Sequence, residues 1–353
     1  MAFLSIPNVK ISGVAAAVPK QIKDIPNSPF FAPGEAEKVM NLTGIRQSRI
    51  APADMCCSDL CQAAAEKLIN DLQWNKENID ILIFVSLSRD YITPATANLL
   101  QHKLGLSQEC IAMDIPFACS GYIYGMSVMA SMMQTGILKK GLLLVGETTS
   151  KMQSPLDKTL WPLHGDGGSA TALEYCPDSP AMQFHFAGDG GKAEAIINPD
   201  GGTRHPFTAD SLTMQEFEPG VTRNRMHSII DGMGVFNFSM TAPPKSIKAL
   251  VEHFNIDIDN DIDYFLIHQA NRYLIEKIVK KIKANPEKVP YSLTTYGNIS
   301  SGTIPLTMVT QIPEQLKNQP LHLLGCGFGS GLSWGSVYFT TQNLVVPQLI
   351  ELD

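Results

Sequence analysis

The sequence predicts an α/β fold built from two similar halves. Apolar runs typical of strands buried on both faces, such as 79–85 and 262–267, alternate with segments of helical periodicity. The element order of the first half largely returns in the second, where DIDYFLIHQ resembles NIDILIFVS across 183 positions. Alternating helices and doubly buried strands imply helix and sheet layers with largely parallel strand pairing.

The first half covers residues 1–175 and contains one glycine-rich loop, predicted at 164–168. A central segment, 110–138, is expected to run from a buried strand into a buried helix. The other predicted elements are strands at 9–18, 79–85, 141–146 and 169–173, and helices at 35–42, 59–72 and 93–104.

The second half covers residues 236–353, and the connecting residues 176–235 are rich in Gly, Pro and Asp. We expect the connecting region to form loops over a pocket. The second half has a predicted glycine loop at 325–331. Its other predicted elements are helices at 246–254, at 272–283 and from 304, and strands at 262–267, 289–295, 321–325 and 333–339.

Cys119 carries the strongest chemical signal in the chain. It lies where the predicted buried strand at 110–117 meets a helix that begins near Tyr122. Free backbone N–H groups and the positive end of the helix dipole favour a thiolate there. The sequence therefore predicts a nucleophile with a lowered pKa. The alternative is a small buried apolar residue at a packing corner.

Two polar residues follow predicted strands of the second half, His268 after 262–267 and Asn298 after 289–295. Side chains at equivalent strand ends can converge on one crevice. A thiolate can hold an acyl group, while a neutral imidazole N–H and an amide NH₂ can donate to a developing enolate oxygen. Cys119, His268 and Asn298 together therefore suggest acyl transfer and condensation. The alternatives are a structural histidine and a plain turn.

Composition narrows the functional classes. The net charge of −7 argues against nucleic-acid binding. The uncharged run 115–138 contains Pro, Gly, Ser and Gln, which favours a core helix over a membrane span. No signal peptide is evident, and the seven cysteines form neither a disulfide framework nor a clear zinc pattern. We therefore expect a reduced, cytoplasmic protein without a bound metal.

Six short motifs occur in order between residues 9 and 340. They are Thr43-Gly44-Ile45, Ala118-Cys119-Ser120-Gly121, His164-Gly165-Asp166-Gly167, His268-Gln269-Ala270-Asn271, Tyr296-Gly297-Asn298-Ile299-Ser300 and Gly327-Phe328-Gly329-Ser330-Gly331-Leu332-Ser333-Trp334-Gly335. Together they resemble the signatures of β-ketoacyl-acyl carrier protein synthase III, in the thiolase superfamily. The resemblance implies a five-layer thiolase-like fold, a homodimer, a Cys119–His268–Asn298 triad and an oxyanion hole made by the backbone N–H groups of Cys119 and Ser330.

The same resemblance implies a reaction. An acyl primer from acyl-CoA or an acyl-carrier protein would undergo decarboxylative Claisen condensation with malonyl-carrier protein, without a permanently bound cofactor. The reaction would serve fatty-acid initiation or a specialised acyl pathway.

The substrate positions depart from the family pattern. Members that take coenzyme A commonly have Trp and Arg where this chain has Lys38 and Leu42. Thr93 is small at a position that often reaches the acyl pocket of the partner subunit. We therefore expect poor use of acetyl-CoA and better use of a longer acyl group, delivered on a carrier protein.

A basic run on the predicted helix 272–283 is the expected docking site for an acidic carrier protein, and a solvated helix face is the alternative. It contains Arg272, Lys277, Lys280 and Lys281. Two further functions stay open, which are acyl transfer to an alcohol or amine through the same cysteine, and the role of a non-catalytic dimer partner. Release of CO₂ from malonyl-carrier protein would separate these functions.

Overall fold

A computed structural model of the chain describes residues 2–353. The helices are α1 Glu35–Thr43, α2 Cys57–Asp71, α3 Thr96–Lys103, α4 Gly121–Met133, α5 Gly232–Phe254, α6 Arg272–Ile282, α7 Leu293–Tyr296, α8 Thr303–Gln311 and α9 Pro313–Asn318. The strands are β1 Ala2–Ile6, β2 Val9–Pro19, β3 Ile22–Asp24, β4 Gln47–Arg49, β5 Ile81–Val85, β6 Ile111–Ile115, β7 Lys140–Thr148, β8 Asp166–Tyr175, β9 Met182–Gly188, β10 Ile196–Ile197, β11 Gln215–Glu218, β12 Val221–Arg223, β13 Ile229–Ile230, β14 Tyr264–Ile267, β15 Leu321–Gly329, β16 Ser333–Thr341 and β17 Ile350–Leu352.

Two large sheets carry the fold, and their pairing is mixed. The strand orders are β17–β2–β8–β7–β5–β6 and β1–β9–β16–β15–β14. β5 pairs in parallel with β6 and β7, and β14 pairs in parallel with β15. The prediction of largely parallel pairing is wrong, because β8 pairs antiparallel with β2 and β7, and β9 pairs antiparallel with β1 and β16. β15 and β16 are also antiparallel, since the short turn at 330–332 joins them as a hairpin.

Three apolar cores hold five layers of helices and sheets together, so the predicted five-layer α/β fold is confirmed. α2 and α3 pack on the outer face of the first sheet. α4 and α8 lie between the two sheets, and α5 and α6 cover the outer face of the second. The middle layer is tight because α4 presents glycines to β5, where a Cβ at Gly125 would lie 2.7 Å from Val85 Cγ2. No helix described between residues 2 and 353 is long and apolar enough to cross a membrane.

The halves exchange strands at their edges. β1 pairs with β9 in the second sheet, and β17 pairs with β2 in the first. The prediction of loops throughout 176–235 is wrong for β9, whose side chains Met182 and Phe184 are fully buried in the central core. Such apolar side chains two positions apart are typical of a strand with one face in a core.

Three predicted loops and strands near the site are also wrong. Residues 289–295 are not a strand, because Pro290 has no N–H and the side chain of Gln269 accepts the hydrogen bond of Ser292 N. The predicted glycine loop at 325–331 is strand β15 as far as Gly329. The predicted loop at 164–168 becomes strand β8 from Asp166 onward. In both strands the glycines serve close packing, as described below for β15.

Candidate active site

Cys119 lies at the junction of the two sheets. It precedes α4, whose N-cap is Ser120, and it faces the glycines of β15. A Cβ at Gly329 would lie 2.7 Å from Cys119 Cβ and 2.9 Å from its Sγ, and a Cβ at Gly327 would lie 2.9 Å from Cys119 O. The glycine run of β15 therefore exists because its backbone contacts the cysteine directly.

Ser300 connects the predicted catalytic residues. Its Oγ lies 3.6 Å from Cys119 Sγ, and its backbone N–H donates to Asn298 Oδ1 at 2.8 Å. Its carbonyl oxygen accepts a hydrogen bond from Thr303 Oγ1 at 3.0 Å. Because Asn298 Oδ1 is engaged in this way, the amide NH₂ of Asn298 remains as the donor that the side chain can offer to a ligand.

His268 follows β14 and is held on two sides. Its backbone N–H donates to Cys326 O at 2.9 Å, and its Nδ1 lies 2.8 Å from Thr303 Oγ1. The edge of the ring meets Phe328 at a centroid distance of 5.4 Å. Burial, followed by the nearby charge of His164, lowers the pKa of His268 to about 3. The imidazole is therefore neutral at physiological pH, as the sequence prediction requires.

Asn298 does not follow a strand. It comes after Gly297, whose φ is +67°, and it forms an isolated parallel bridge with His164. Asn298 N donates to Leu163 O at 2.9 Å, and Asn298 O accepts from Gly165 N at 3.1 Å. The glycine is needed here because positive φ is strained for other residues. This bridge, rather than the predicted strand, fixes the position of the Asn298 backbone.

The prediction of a lowered pKa for Cys119 is wrong. Burial raises the pKa of the thiol to about 11, and this effect exceeds the lowering by the hydrogen bond with Ser300. The charge of buried Glu147 raises it further. The first residue of α4 is two positions beyond Cys119, and removal from water costs the thiolate more than the helix dipole returns. Cys119 is therefore a neutral thiol at pH 7.

Ser330 lies in the turn that ties β15 to Cys119. Its carbonyl accepts from Ser333 Oγ at 2.8 Å, and Ser333 Oγ lies 2.7 Å from the Oγ of Ser120, the residue after Cys119. Ser330 Oγ donates to Ile196 O at 3.3 Å. The predicted oxyanion donors, Cys119 and Ser330, thus belong to two segments that are joined by a buried pair of serine hydroxyls.

The predicted docking residues differ in their surroundings on α6. Arg272 pairs with Glu276 at 3.2 Å, and Lys277 lies over the ring of Tyr273 at 4.9 Å. Lys280 is exposed. Lys281 donates to Met240 O at 2.7 Å, a carbonyl left without its helical partner by Pro244. Lys281 therefore caps a break in α5.

The predicted acyl-pocket residue lies on the surface of the chain. Thr93 is exposed in the loop between β5 and α3. The two residues before it, Tyr91 and Ile92, are also exposed, at 60% and 83%. Within the chain, the start of this loop is anchored by Glu147, which accepts hydrogen bonds from Leu87 N and Ser88 N, both at 3.0 Å.

Sequence reasoning missed Ser300, Thr303 and His164 as members of the site. Ser300 and Thr303 lie two and five positions after Asn298, where hydroxyl side chains favour local turns and can bond to the backbone. Their position after a candidate catalytic residue was the available signal. For His164, the glycines that follow it indicated a loop. No local pattern showed that Asn298 lies opposite it on the adjacent segment.

Comparisons with known proteins identify a family. The family profile described as 3-oxoacyl-[acyl-carrier-protein (ACP)] synthase III matches residues 113–190, and the profile of its C-terminal part matches residues 255–341. A crystal structure of a 3-oxoacyl-(acyl-carrier protein) synthase from Burkholderia xenovorans superposes with a TM-score of 0.93, at 35% identity over 99% of both chains. The chain belongs to the 3-oxoacyl-[acyl-carrier-protein] synthase III family.

Curated relatives of this family support the assignment over the whole length. The β-ketoacyl-[acyl-carrier-protein] synthase III of Streptococcus mutans is 30% identical over 93% of this chain and 98% of its own length. The enzyme of the same name from Rhodopirellula baltica is 30% identical over 95% of this chain and 99% of its own. The chain is thus an acyltransferase-type condensing enzyme. The described residues contain no group of three or more His, Cys, Asp or Glu side chains arranged to hold a metal ion.

Proposed function

We propose that this chain condenses a Cys119-bound acyl primer with malonyl-carrier protein and releases CO₂. The observation that carries the proposal is the convergence of Cys119, Asn298 and, through Thr303, His268 on Ser300. These three groups are a nucleophile, an amide donor and a neutral imidazole, which is the set that acyl transfer and enolate stabilisation require. Family membership supports the same reaction class.

The first half-reaction loads the primer. Cys119 Sγ attacks the carbonyl carbon of the acyl thioester, and the C–S bond to the carrier breaks. Because the thiol is protonated at pH 7, its proton must leave during the attack. In our proposal His268 Nε2 relays this proton to the departing sulfur in one concerted step, because its lowered pKa of about 3 prevents the imidazole from holding the charge. The backbone N–H groups of Cys119 and Ser330 stabilise the tetrahedral oxyanion.

The second half-reaction uses the same imidazole as a donor. The malonyl C–C bond breaks, CO₂ leaves, and the electron pair becomes an enolate whose oxygen accepts hydrogen bonds from Asn298 NH₂ and His268 Nε2–H. The enolate carbon then attacks the acyl carbon on Cys119. The new C–C bond forms as the Cys119 thiolate departs and takes up a proton from solvent, which is the one proton that decarboxylative condensation consumes.

Thr303 can serve both half-reactions. Its hydroxyl has one hydrogen and two neighbouring acceptors, His268 Nδ1 at 2.8 Å and Ser300 O at 3.0 Å. When the hydrogen points to Ser300, Thr303 accepts from Nδ1–H and leaves Nε2 free as a base. When the hydrogen points to Nδ1, Nε2 carries the proton and is a donor, and the change of tautomer between the half-reactions takes place by exchange of one proton at each ring nitrogen with solvent.

We also propose that the enzyme is a homodimer formed through the free edge of β6. This strand ends the first sheet, and Ile111 is 37% exposed. The neighbouring loop presents Leu87, Tyr91 and Ile92, which are 40–83% exposed. An exposed apolar strand edge favours pairing with a second copy. Dimerisation would bring Thr93 of one subunit toward the acyl pocket of the other.

The primer is proposed to be an acyl group longer than acetyl, delivered on a carrier protein. Leu42, which is 60% exposed, and Lys38, which is exposed, have neither an aromatic ring nor a guanidinium group. They therefore cannot stack on adenine. Lys158 on the adjoining loop is paired with Glu35 at 2.9 Å.

The carrier is proposed to dock on the exposed basic side of α6. All seven cysteines are free thiols, which supports a reducing compartment such as the cytoplasm.

The direct test is intact-protein mass spectrometry with a panel of acyl-CoA and acyl-carrier thioesters. We expect one acyl adduct, which Cys119→Ala abolishes and which the matched control Cys176→Ala retains. C4–C8 acyl carriers should load faster than acetyl-CoA. An adduct that persists in Cys119→Ala contradicts the assigned nucleophile, and faster loading from acetyl-CoA contradicts the proposed primer. If loaded protein passes its acyl group to an alcohol or amine without releasing CO₂, the alternative transferase function replaces condensation.

A further inference from the structure

His164 is a buried histidine at the site that the mechanism above leaves unused. It is 8% exposed, and its bridge partner on the adjacent segment is Asn298. Residues directly opposite each other in a β-bridge project to the same side. The His164 ring and the Asn298 side chain therefore lie on the same side of this bridge.

The backbone of His164 is firmly held. Its carbonyl oxygen accepts from Lys23 Nζ at 2.6 Å and from Ser48 Oγ at 3.0 Å. Lys23 is itself buried against the Trp161 ring, at 4.5 Å from its centroid. A ring that projects from such a fixed backbone position is preorganised for contact with a ligand.

The hydrogen bonds of the ring fix its tautomer. His164 Nδ1 lies 3.2 Å from Leu160 O, and a carbonyl oxygen can only accept, so Nδ1 carries the hydrogen. Burial lowers the pKa of His164 to about 4, which keeps the ring neutral. Nε2 is therefore an unprotonated acceptor. Leu160 O is the one hydrogen-bond partner of this ring among residues 2–353.

This acceptor differs in kind from its neighbours at the site. Asn298 offers an NH₂ group because its Oδ1 is engaged by Ser300 N, and the predicted oxyanion groups are backbone N–H donors. These donors match the carbonyl oxygens of a thioester. Every pantetheine thioester also carries an amide N–H two carbons beyond its sulfur, and that N–H needs an acceptor when it leaves water.

We propose that His164 Nε2 accepts a hydrogen bond from this amide N–H of the bound thioester, which makes His164 a substrate-contacting residue that aligns the reacting carbonyl with Cys119 and Asn298. The inference rests on the proposed function and adds a contact to it. The ligand class is a pantetheine thioester, whether the arm belongs to coenzyme A or to a carrier protein.

Two conservative variants separate this role from a structural one. The side-chain oxygen of Gln can occupy the position of Nε2, whereas the side chain of Asn reaches only to the position of Nδ1 and can keep the bond to Leu160 O. We expect His164→Gln to retain most activity and His164→Asn to raise KM with little change in melting temperature. The opposite pattern, in which Asn is nearly neutral and Gln is unstable, would overturn the inference.

A substrate pair then tests the contact itself. Acyl-N-acetylcysteamine thioester carries the N–H, and its N-methyl analogue does not. For Cys119 loading, His164→Asn should lower kcat/KM roughly tenfold with the first substrate and leave the second nearly unchanged, as expected for loss of one hydrogen bond. Equal effects on both substrates would refute the contact. Loading of Cys119 by the wild-type protein in the same assay would still support the proposed function. Wild-type protein that loads neither substrate would contradict both.

Discussion

Gly329→Ala should block the nucleophile while leaving most of the fold intact. The added Cβ would lie 2.7 Å from Cys119 Cβ and 2.9 Å from Sγ, whereas ordinary contacts begin at 3.4 Å. To reach ordinary contact, the added carbon and Cys119 must therefore separate by 0.7 Å at Cβ (3.4 − 2.7) and by 0.5 Å at Sγ (3.4 − 2.9). Since displacement of a reacting group by about 1 Å can cost roughly 10²-fold in rate, we expect a loss of loading of that order. Overpacking of this kind should also lower the free energy of unfolding by about 1–3 kcal/mol.

The assay is the initial rate of acyl adduct formation on Cys119, followed by mass spectrometry beside a thermal melt. Gly202→Ala is the matched control, because a Cβ at Gly202 has no atom within 4 Å. The control should load at the wild-type rate. If Gly329→Ala also loads at the wild-type rate, then the β15 backbone does not set the position of the thiol, and the packing argument fails.

Three further outcomes follow from the same site. Asn298→Ala should still load Cys119 but lose decarboxylation of malonyl-carrier protein by roughly 100-fold, and loss of loading with intact decarboxylation would reverse the assigned roles. Alkylation of Cys119 by iodoacetamide should rise about tenfold per pH unit from 7 to 9, because a pKa near 11 leaves the thiolate fraction proportional to hydroxide, and a plateau near pH 7 would contradict it. Lys280→Glu should raise KM for malonyl-carrier protein at an unchanged melting temperature, whereas Lys281→Glu should lower the melting temperature because the cap on Met240 O is lost, and identical effects would undo this distinction.

The sequence was sufficient for the elements whose pattern is local. The apolar run at 79–85 and the helical periodicity at 59–72 predicted β5 and α2 to within about two residues. The duplicated order predicted the layered α/β fold, because each half repeats the same alternation of helices and buried strands. The structure places His268 immediately after β14, where the apolar run 262–267 ends.

The sequence was insufficient where structure depends on distant partners. Gly327 and Gly329 look like a loop locally, and only the approach of Cys119 explains why a strand lacks side chains there. Asn298 is positioned by a bridge to His164, a contact across more than a hundred residues that no local pattern contains. The pKa of Cys119 was predicted in the wrong direction because its burial depends on β15 and Ser300, which periodicity cannot reveal.

The most direct measurement of the central claim is a single turnover with labelled primer. Enzyme loaded on Cys119 with a deuterated acyl group is mixed with malonyl-carrier protein, and the carrier and released CO₂ are analysed together. We expect the label to move from Cys119 to a 3-oxoacyl carrier with one CO₂ per label transferred, and the Asn298→Ala variant to stay loaded. Loss of the label to water or to another acceptor without CO₂ would contradict it.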